Sequence, residues 1–535
     1  MFRGGKDRAG HIGWSAVTLV CVATSLWLLS CGGGSSGGSS SSNSTDPPSS
    51  PTPLTASDVA NVVQNAVQSV NAPMVVAVAD RAGHILAVFD TPGAPASTIG
   101  NFSETQDAHE VAVALARTAA FFSNDQAPLS SRTVRFISGI HFPPGVAGTP
   151  NADLYGIENT NRGCTLSTAF LPGQALDPSR SIDGSKPGLG IMTGKADTND
   201  SNPMAVNPGG VPLFKGGAVG GVGVVSTSPE IAEFAAFSGA ANSGLLPSLS
   251  QLPPPGVVVI GGISLPFVNQ TTQPAGTDAG TFAGSYFAGH TPVDGSLPPE
   301  NYLVGPNAGS KLSQSDVSEI IANAVATANT ARAVIRLPPG QRARMTIAVA
   351  DLDGTILGLF RMSDGTVFST DVAASKARNV VWFSTTGVRD LPGVPNGTAV
   401  SNRTVSFGAQ PLFPPGIDGS SDGPFFPLYV KDTANPCTQG SDPGAANTNN
   451  MSGIVFFPGS LPLYKNGVLV GGLGVSGDGV DQDDFVTAGA VNAACGFGGP
   501  CGVPDFQAPA AIRADQVVIR NIRLPYLKFP RNPTQ

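Results

Sequence analysis

Two stretches of the chain alternate short apolar runs with a polar turn in the same way. Residues 74–90 read MVVAVADRAGHILAVFD, and residues 345–362 read MTIAVADLDGTILGLFRM. Each is a pair of runs rich in Val, Ile, Leu and Phe around a turn with one glycine, Gly83 or Gly354, the pattern of a β-hairpin. A helix is predicted before each, over 54–71 and 312–329, with Ser57 or Asp58 and Ser315 or Asp316 as caps. In the second of these Val317, Ile320, Ile321, Ala324 and Ala328 recur at intervals of three and four, one apolar stripe for a sheet to cover. A second helix follows each hairpin, AHEVAVALARTAAFF and STDVAASKARNVVWF, the latter with Ser369 as its expected cap.

The repetition continues through the loops, so the chain reads as a duplication. SSRTVRFISGIHFPPGV at 130–146 parallels SNRTVSFGAQPLFPPGI at 401–417, and VPLFKGGAVGGVGV at 211–224 parallels LPLYKNGVLVGGLGV at 461–475. A third helix follows in each copy, in the second starting near Asp481, where Asp483 and Asp484 suit the positive helix end. An extra closing strand is then expected at 257–267 and 516–526. Strands joined by tight turns and flanked by helices predict an α+β layer architecture with an antiparallel sheet in each copy. The expected boundaries are 54–270 for the first repeat, 271–311 for a Gly/Thr/Pro-rich linker, 312–530 for the second repeat and 531–535 for a tail.

The order of helix, V-A-D-x-x-G-x-x-x-x-x-F hairpin, D-V-A-x-x-K-A-R helix and late G-G-L-G-V-S-G-x-x-x-x-D resembles the GlcG/HbpS family of haem-binding proteins. The second copy carries all of these motifs, in Val349–Asp351, Gly354, Asp371 through Arg378, Gly471 through Gly477, and Asp481. In the first copy Leu115 replaces the helix lysine, and Val225-Ser226 replaces the Ser-Gly. The resemblance implies two tandem profilin-like α/β/α sandwiches and, as ligand, haem or a similar flat apolar molecule. It covers about half of each repeat.

Arg3, Lys6 and Arg8 precede an apolar run from Trp14, and Leu28-Leu29-Ser30-Cys31 resembles a bacterial lipobox. Residues 1–31 are therefore expected to be a lipoprotein signal with Cys31 as the lipidated residue, and 32–53 a disordered Gly/Ser/Pro tether. Gly32 after the cysteine implies outer-membrane retention, facing the periplasm or the cell surface. The net charge of −8 and a pI near 5.1 argue against nucleic acid or anionic lipid as the main partner. Export also favours paired cysteines. Cys495 and Cys501 enclose a short glycine-rich loop and are expected to bridge. Cys164 and Cys437 occupy matching places in the repeats; they bridge if a pseudo-two-fold axis brings those loops together, and otherwise stay free thiols.

Haem needs an axial donor in an apolar cleft, and the chain has five histidines. His84, beside the hairpin glycine, is the first candidate for the iron; the alternative is an exposed turn histidine. His109 opens the second helix and is either a ligand or an amphipathic edge. His141 is expected to pack on loop aromatics and His290 to be solvated in the linker. The second copy has no histidine, so Met362 or Tyr429 would have to serve there. Arg132, Arg403, Lys376 and Arg378 are candidates for a carboxylate such as a propionate, or for internal ion pairs. The G-x-G-x-x-G at 472–477 lies on a strand end in a meander, so it is read as close backbone packing, not a dinucleotide loop. The acidic residues at 478–484 lack calcium-loop spacing and are assigned to helix capping. No nucleophile–base pair stands out. An exported haem sensor, scavenger or carrier, a cofactor-free envelope protein with fused repeats, and a haem-degrading enzyme are the readings the chain carries, the last from the family's older naming alone.

Overall fold

In a computed structural model, residues 50–166, 179–185, 187–199, 202, 204–247, 258–386, 390–440, 450–492, 495 and 505–535 are described. The signal, Cys31 and the tether up to residue 49 lie outside the described residues. Two five-stranded antiparallel sheets carry the rest, with the same strand order. In the first the order is Gly210–Phe214, Ala218–Ser226, Met74–Asp80, Ile85–Asp90 and Ser285–Tyr286. In the second it is Ser460–Lys465, Val468–Ser476, Thr346–Ala350, Ile356–Arg361 and Asn301–Val304. Even the irregularities repeat: the register shifts at Val78/Ala79 and at Val349/Ala350, and again at Leu213/Phe214 and Leu463/Tyr464.

Period-two alternation sends successive strand residues to opposite faces. Met74, Val76 and Val78 face the helices Ala56–Ser69 and Pro229–Asn242, while Val75 and Ala77 face the helix Ala108–Phe122. The second half repeats this, with Ile347 and Val349 toward Gln314–Ala328 and Val480–Ala490, and Ala348 and Ala350 toward Phe368–Ser384. Each unit is thus an α/β/α sandwich. The strand glycines explain the closeness of its third layer. A Cβ on Gly223 would stand 2.0 Å from the Ala112 carbonyl oxygen, and one on Gly474 would stand 2.1 Å from that of Ala373. Helix backbone therefore rests on strand backbone, which is what the G-x-G spacing is for.

Four expectations need correction. The opening helices are capped by Thr55 and Ser313, in capping boxes with Asp58 and Asp316 at the fourth position, not by Ser57 or Ser315. The helix Phe368–Ser384 has no side-chain cap, and Ser369 lies inside its first turn, bonded to Thr366. The closing strands are separate ribbons, Val259–Ile260 with Ile263–Ser264 and Val518–Ile519 with Ile522–Arg523, rather than sheet members. They hang on the Ser/Thr pairs of the repeated loops: Thr133 donates to the Pro266 carbonyl at 2.6 Å and Thr404 to that of Pro525 at 2.7 Å. The segment 271–311 is more than a linker, since it supplies an edge strand to both sheets.

The aspartate of each Val-Ala-Asp ribbon holds that segment. Asp80 accepts from the backbone and hydroxyl of Ser296 at 2.9 and 2.8 Å, and Asp351 from those of Ser310 at 2.7 Å each. The helix arginine closes the turn in the same way in both copies. Arg117 Nε donates to the Gly83 carbonyl and Arg378 Nε to that of Gly354, each at 2.9 Å.

Apolar cores join the halves, and two of them are rich in aromatic rings. One joins Phe121, Phe122 and Leu129 to Ile335, Phe368 and Val480, with Phe122 and Phe368 stacked at 4.1 Å. The other joins Tyr155 to Tyr429 and Phe456, the tyrosine rings 5.0 Å apart. Beside it runs the Cys164–Cys437 disulfide, which joins loops 273 residues apart in sequence. Cys501 lies outside the described residues, so the expected Cys495–Cys501 pairing does too.

Candidate functional site

His84 follows the hairpin glycine, and its ring is oriented from behind. Nδ1 lies 3.0 Å from Asp80 Oδ2 and 3.2 Å from Ser296 Oγ, while the His84 backbone N–H donates to Asp80 Oδ1 at 2.9 Å. The hydrogen bond to Asp80 raises the imidazole pKa against the opposing effect of burial. The side chain is 41% exposed and Nε2 has no partner among the described residues. A carboxylate on one ring nitrogen and a bare second nitrogen is the arrangement in which histidine usually binds a metal.

The other candidates are engaged. His109 has Asp107 at 3.0 Å on Nδ1 and Asp90 at 3.0 Å on Nε2, with Phe287 stacked 4.0 Å from its ring. His141 Nδ1 lies 2.8 Å from the Thr149 carbonyl and Nε2 3.3 Å from Asp418, a contact between equivalent loops of the two copies rather than aromatic packing alone. His290 is half-buried, and burial lowers its pKa. Met362 and Tyr429 are both buried, and the Met362 sulfur accepts from the Met345 N–H at 3.4 Å.

The cationic candidates all have internal partners. Arg132 binds Glu233 through two bonds of 2.6 and 2.8 Å; Arg403 binds Asp481 at 2.6 Å and also Asp484. Lys376 and Arg378 do not stand at a cleft mouth, because both are fully buried. Lys376 Nζ donates to the Val475 carbonyl at 2.8 Å, pairs with Asp483 Oδ2 at 3.0 Å and lies over the Phe457 ring. Arg378 reaches across to the first copy, donating to the carbonyls of Thr165 and Leu166 next to Cys164. The acidic residues at 478–484 hold arginines and a lysine: Asp478 pairs with Arg336, and Asp481 and Asp483 also stand in the first turn of the helix Val480–Ala490, although the expected side-chain cap is missing at Gly479.

Lys376 and Asp483 were legible as a pair only by comparing the copies. Arg132–Glu233 and Arg403–Asp484 are equivalent, which aligns Ala232 with Asp483, while Leu115 aligns with Lys376. Both members of the pair are apolar in the first copy, as they must be if each charge needs the other.

Burial raises several interior carboxyls, Asp371, Asp432 and Asp483 among them. Asp371 is pushed up to about 6, Asp432 to about 7 and Asp483 to about 7. Asp371 accepts from the Asn161 N–H at 2.7 Å, and Asp432 from Asn159 Nδ2 at 3.1 Å and the Ile454 N–H at 2.9 Å. Both bonds from Asn159 and Asn161 cross between the copies. An unfolded aspartate titrates near 4, so between about pH 4 and 7 the folded state holds more protons and stability falls as pH rises. The urea midpoint is expected to be higher at pH 5 than at pH 8, and Asp432→Asn to lessen that difference. A midpoint that rises from pH 5 to pH 8 would contradict this.

Two cavities bear on the size of a ligand. One, of about 70 Å³, lies between the copies and is walled by Phe122, Phe368 and Phe457. It is too small for a porphyrin. The other is an open cleft of about 590 Å³ beside Phe102, Met192 and Arg162, with Glu104, Glu158 and Asp197 on its walls. Its volume suits a drug-sized ligand, but its carboxylates oppose propionates. His84 stands at a half-exposed edge rather than in either cavity.

Residues 312–492 match the family model described as haem degrading protein HbpS-like. Two solved structures are similar to the chain. The Klebsiella pneumoniae protein ORFY, of the family DUF336, is 19% identical over 34% of this chain and 87% of its own, with a TM-score of 0.22. The PduOC:Heme complex is 23% identical over 34% of this chain and 94% of its own, with a TM-score of 0.22. No curated protein matches the sequence.

Proposed function

We propose that the chain, whose residues 312–492 match the HbpS-like family model, is an exported, lipid-anchored binding protein for haem or a similar flat apolar ligand, in which two fused repeats replace a dimer. The observation that carries this reading is the His84 imidazole, held by Asp80 with Nε2 unpartnered among the described residues. His84 would hold the iron, and haem would supply an iron centre able to bind further small ligands. A sensor, scavenger or carrier role follows better than catalysis, because the buried lysine and arginines are bound to protein partners. Haemin titrated into the mature protein is expected to give a shifted Soret band, with affinity at least about tenfold lower in His84→Ala. Equal spectra in the two proteins would remove His84 from the reading.

A second reading has its own support. Arg132, Arg403, Lys376, Arg378 and His109 are all consumed by internal bonds, which suits a cofactor-free envelope protein whose repeats are fused for rigidity. The absence of any haemin-induced band would favour it.

A further inference from the structure

The small cavity between the copies has an unusual floor. Its walls are aromatic and aliphatic, yet Asp483, only 2% exposed, lines it. Lys376 takes Oδ2, and Oδ1 is buried with no hydrogen-bond partner. A buried carboxyl oxygen left without a partner costs about 1–3 kcal/mol, so a molecule that donates to it gains more than it would at a surface. Lys376 cannot serve, because its ammonium already meets the Val475 carbonyl, Asp483 Oδ2 and the Phe457 ring. About 70 Å³ exceeds the roughly 10–15 Å³ that one water needs and is about half of the ~150 Å³ that admits benzene. Asp153 and Ile260 also line the cavity, Ile260 from the ribbon near the end of the first repeat. The lining is otherwise largely apolar; the Ser476 hydroxyl already donates to Ser369 and Asp153 is exposed, so Asp483 Oδ1 is the buried acceptor left for a donor.

We propose that this cavity is a binding site for a small uncharged alcohol, its carbon chain between Phe122, Phe368 and Val480 and its hydroxyl donating to Asp483 Oδ1. The site belongs to neither copy alone. It is distinct from His84 and does not depend on haem.

The test uses the mature full-length protein with ethanol, smaller than benzene as the volume requires, and its hydroxyl-free analogue chloroethane, followed by ligand-observed NMR. Ethanol is expected to bind at least about tenfold more tightly than chloroethane, the factor for one buried hydrogen bond. Ile260→Phe narrows the cavity from a half-exposed ribbon and is expected to weaken ethanol at least about tenfold while leaving the unfolding midpoint in place. Equal binding of the two probes would overturn the role of Asp483. Failure of ethanol to bind, or binding unchanged in Ile260→Phe, would overturn the site itself.

Discussion

Replacing Cys164 and Cys437 together by alanine is expected to lower the free energy of unfolding by about 4–5 kcal/mol, near the top of the range for a single disulfide. The reason is the length of chain between them. A link between residues 273 apart removes far more freedom from the unfolded chain than a local bridge does. The native side adds to this, because the linked loops carry contacts between the copies. Asn161 bonds to Asp371, Asn159 to Asp432, and Tyr155 stacks on Tyr429, each pair with at least one member on the same loop segment as a linked cysteine. Urea unfolding of the oxidised protein and of the double variant measures the difference. A loss below about 1 kcal/mol would mean that the two copies stay associated in the denatured ensemble without the link. The double variant is a cleaner test than reductant, since Cys495 is also disulfide-bonded.

Much of the fold could be read because it was stated twice. The V-A-D hairpins, the G-x-G strands and the Arg-Thr-Val loops each have a local physical cause, and repetition separated cause from coincidence. The helix caps were placed two residues late because Thr55-Ala56-Ser57-Asp58 offers three capping side chains in succession, and only the backbone decides among them. The edge strands at Ser285–Tyr286 and Asn301–Val304 were hidden in a Gly/Thr/Pro-rich stretch. They are only two and four residues long, and their register is set by Asp80, Asp351 and the sheet they join. For the ribbons that replaced the closing strands, apolar content was a misleading guide, since Gly261-Gly262 and Arg520-Asn521, all at positive φ, fold each segment back on itself.

The candidate site was less legible, for a related reason. Sequence identifies which side chains can bind a carboxylate or an iron, but it does not say whether the protein already supplies the partner. Arg132 found Glu233, and Arg403 found Asp481 and Asp484, each on a helix about eighty to a hundred residues further along the chain. His84 kept one nitrogen free because its carboxylate, Asp80, lies only four residues away and can reach only one side of the ring.

The Lys376–Asp483 pair permits the sharpest test of the idea that the copies solved one packing problem in two ways. Asp483→Ala removes the carboxylate and leaves a fully buried ammonium whose pKa is already depressed by burial. Breaking a buried pair in this manner is expected to cost about 3–5 kcal/mol. Lys376→Leu is expected to cost less, because Asp483, pushed up to about 7 by burial, can take a proton and become neutral near physiological pH. The double variant recreates the Leu115 and Ala232 of the first copy and replaces two desolvated groups by apolar ones. Its stability is expected within about 1 kcal/mol of the parent, giving a coupling energy of several kcal/mol in the double-mutant cycle. The measurement is urea unfolding of all four proteins at one pH. Additive losses would show that the lysine and aspartate act separately, and that the apolar pair of the first copy depends on neighbours that the second copy does not share.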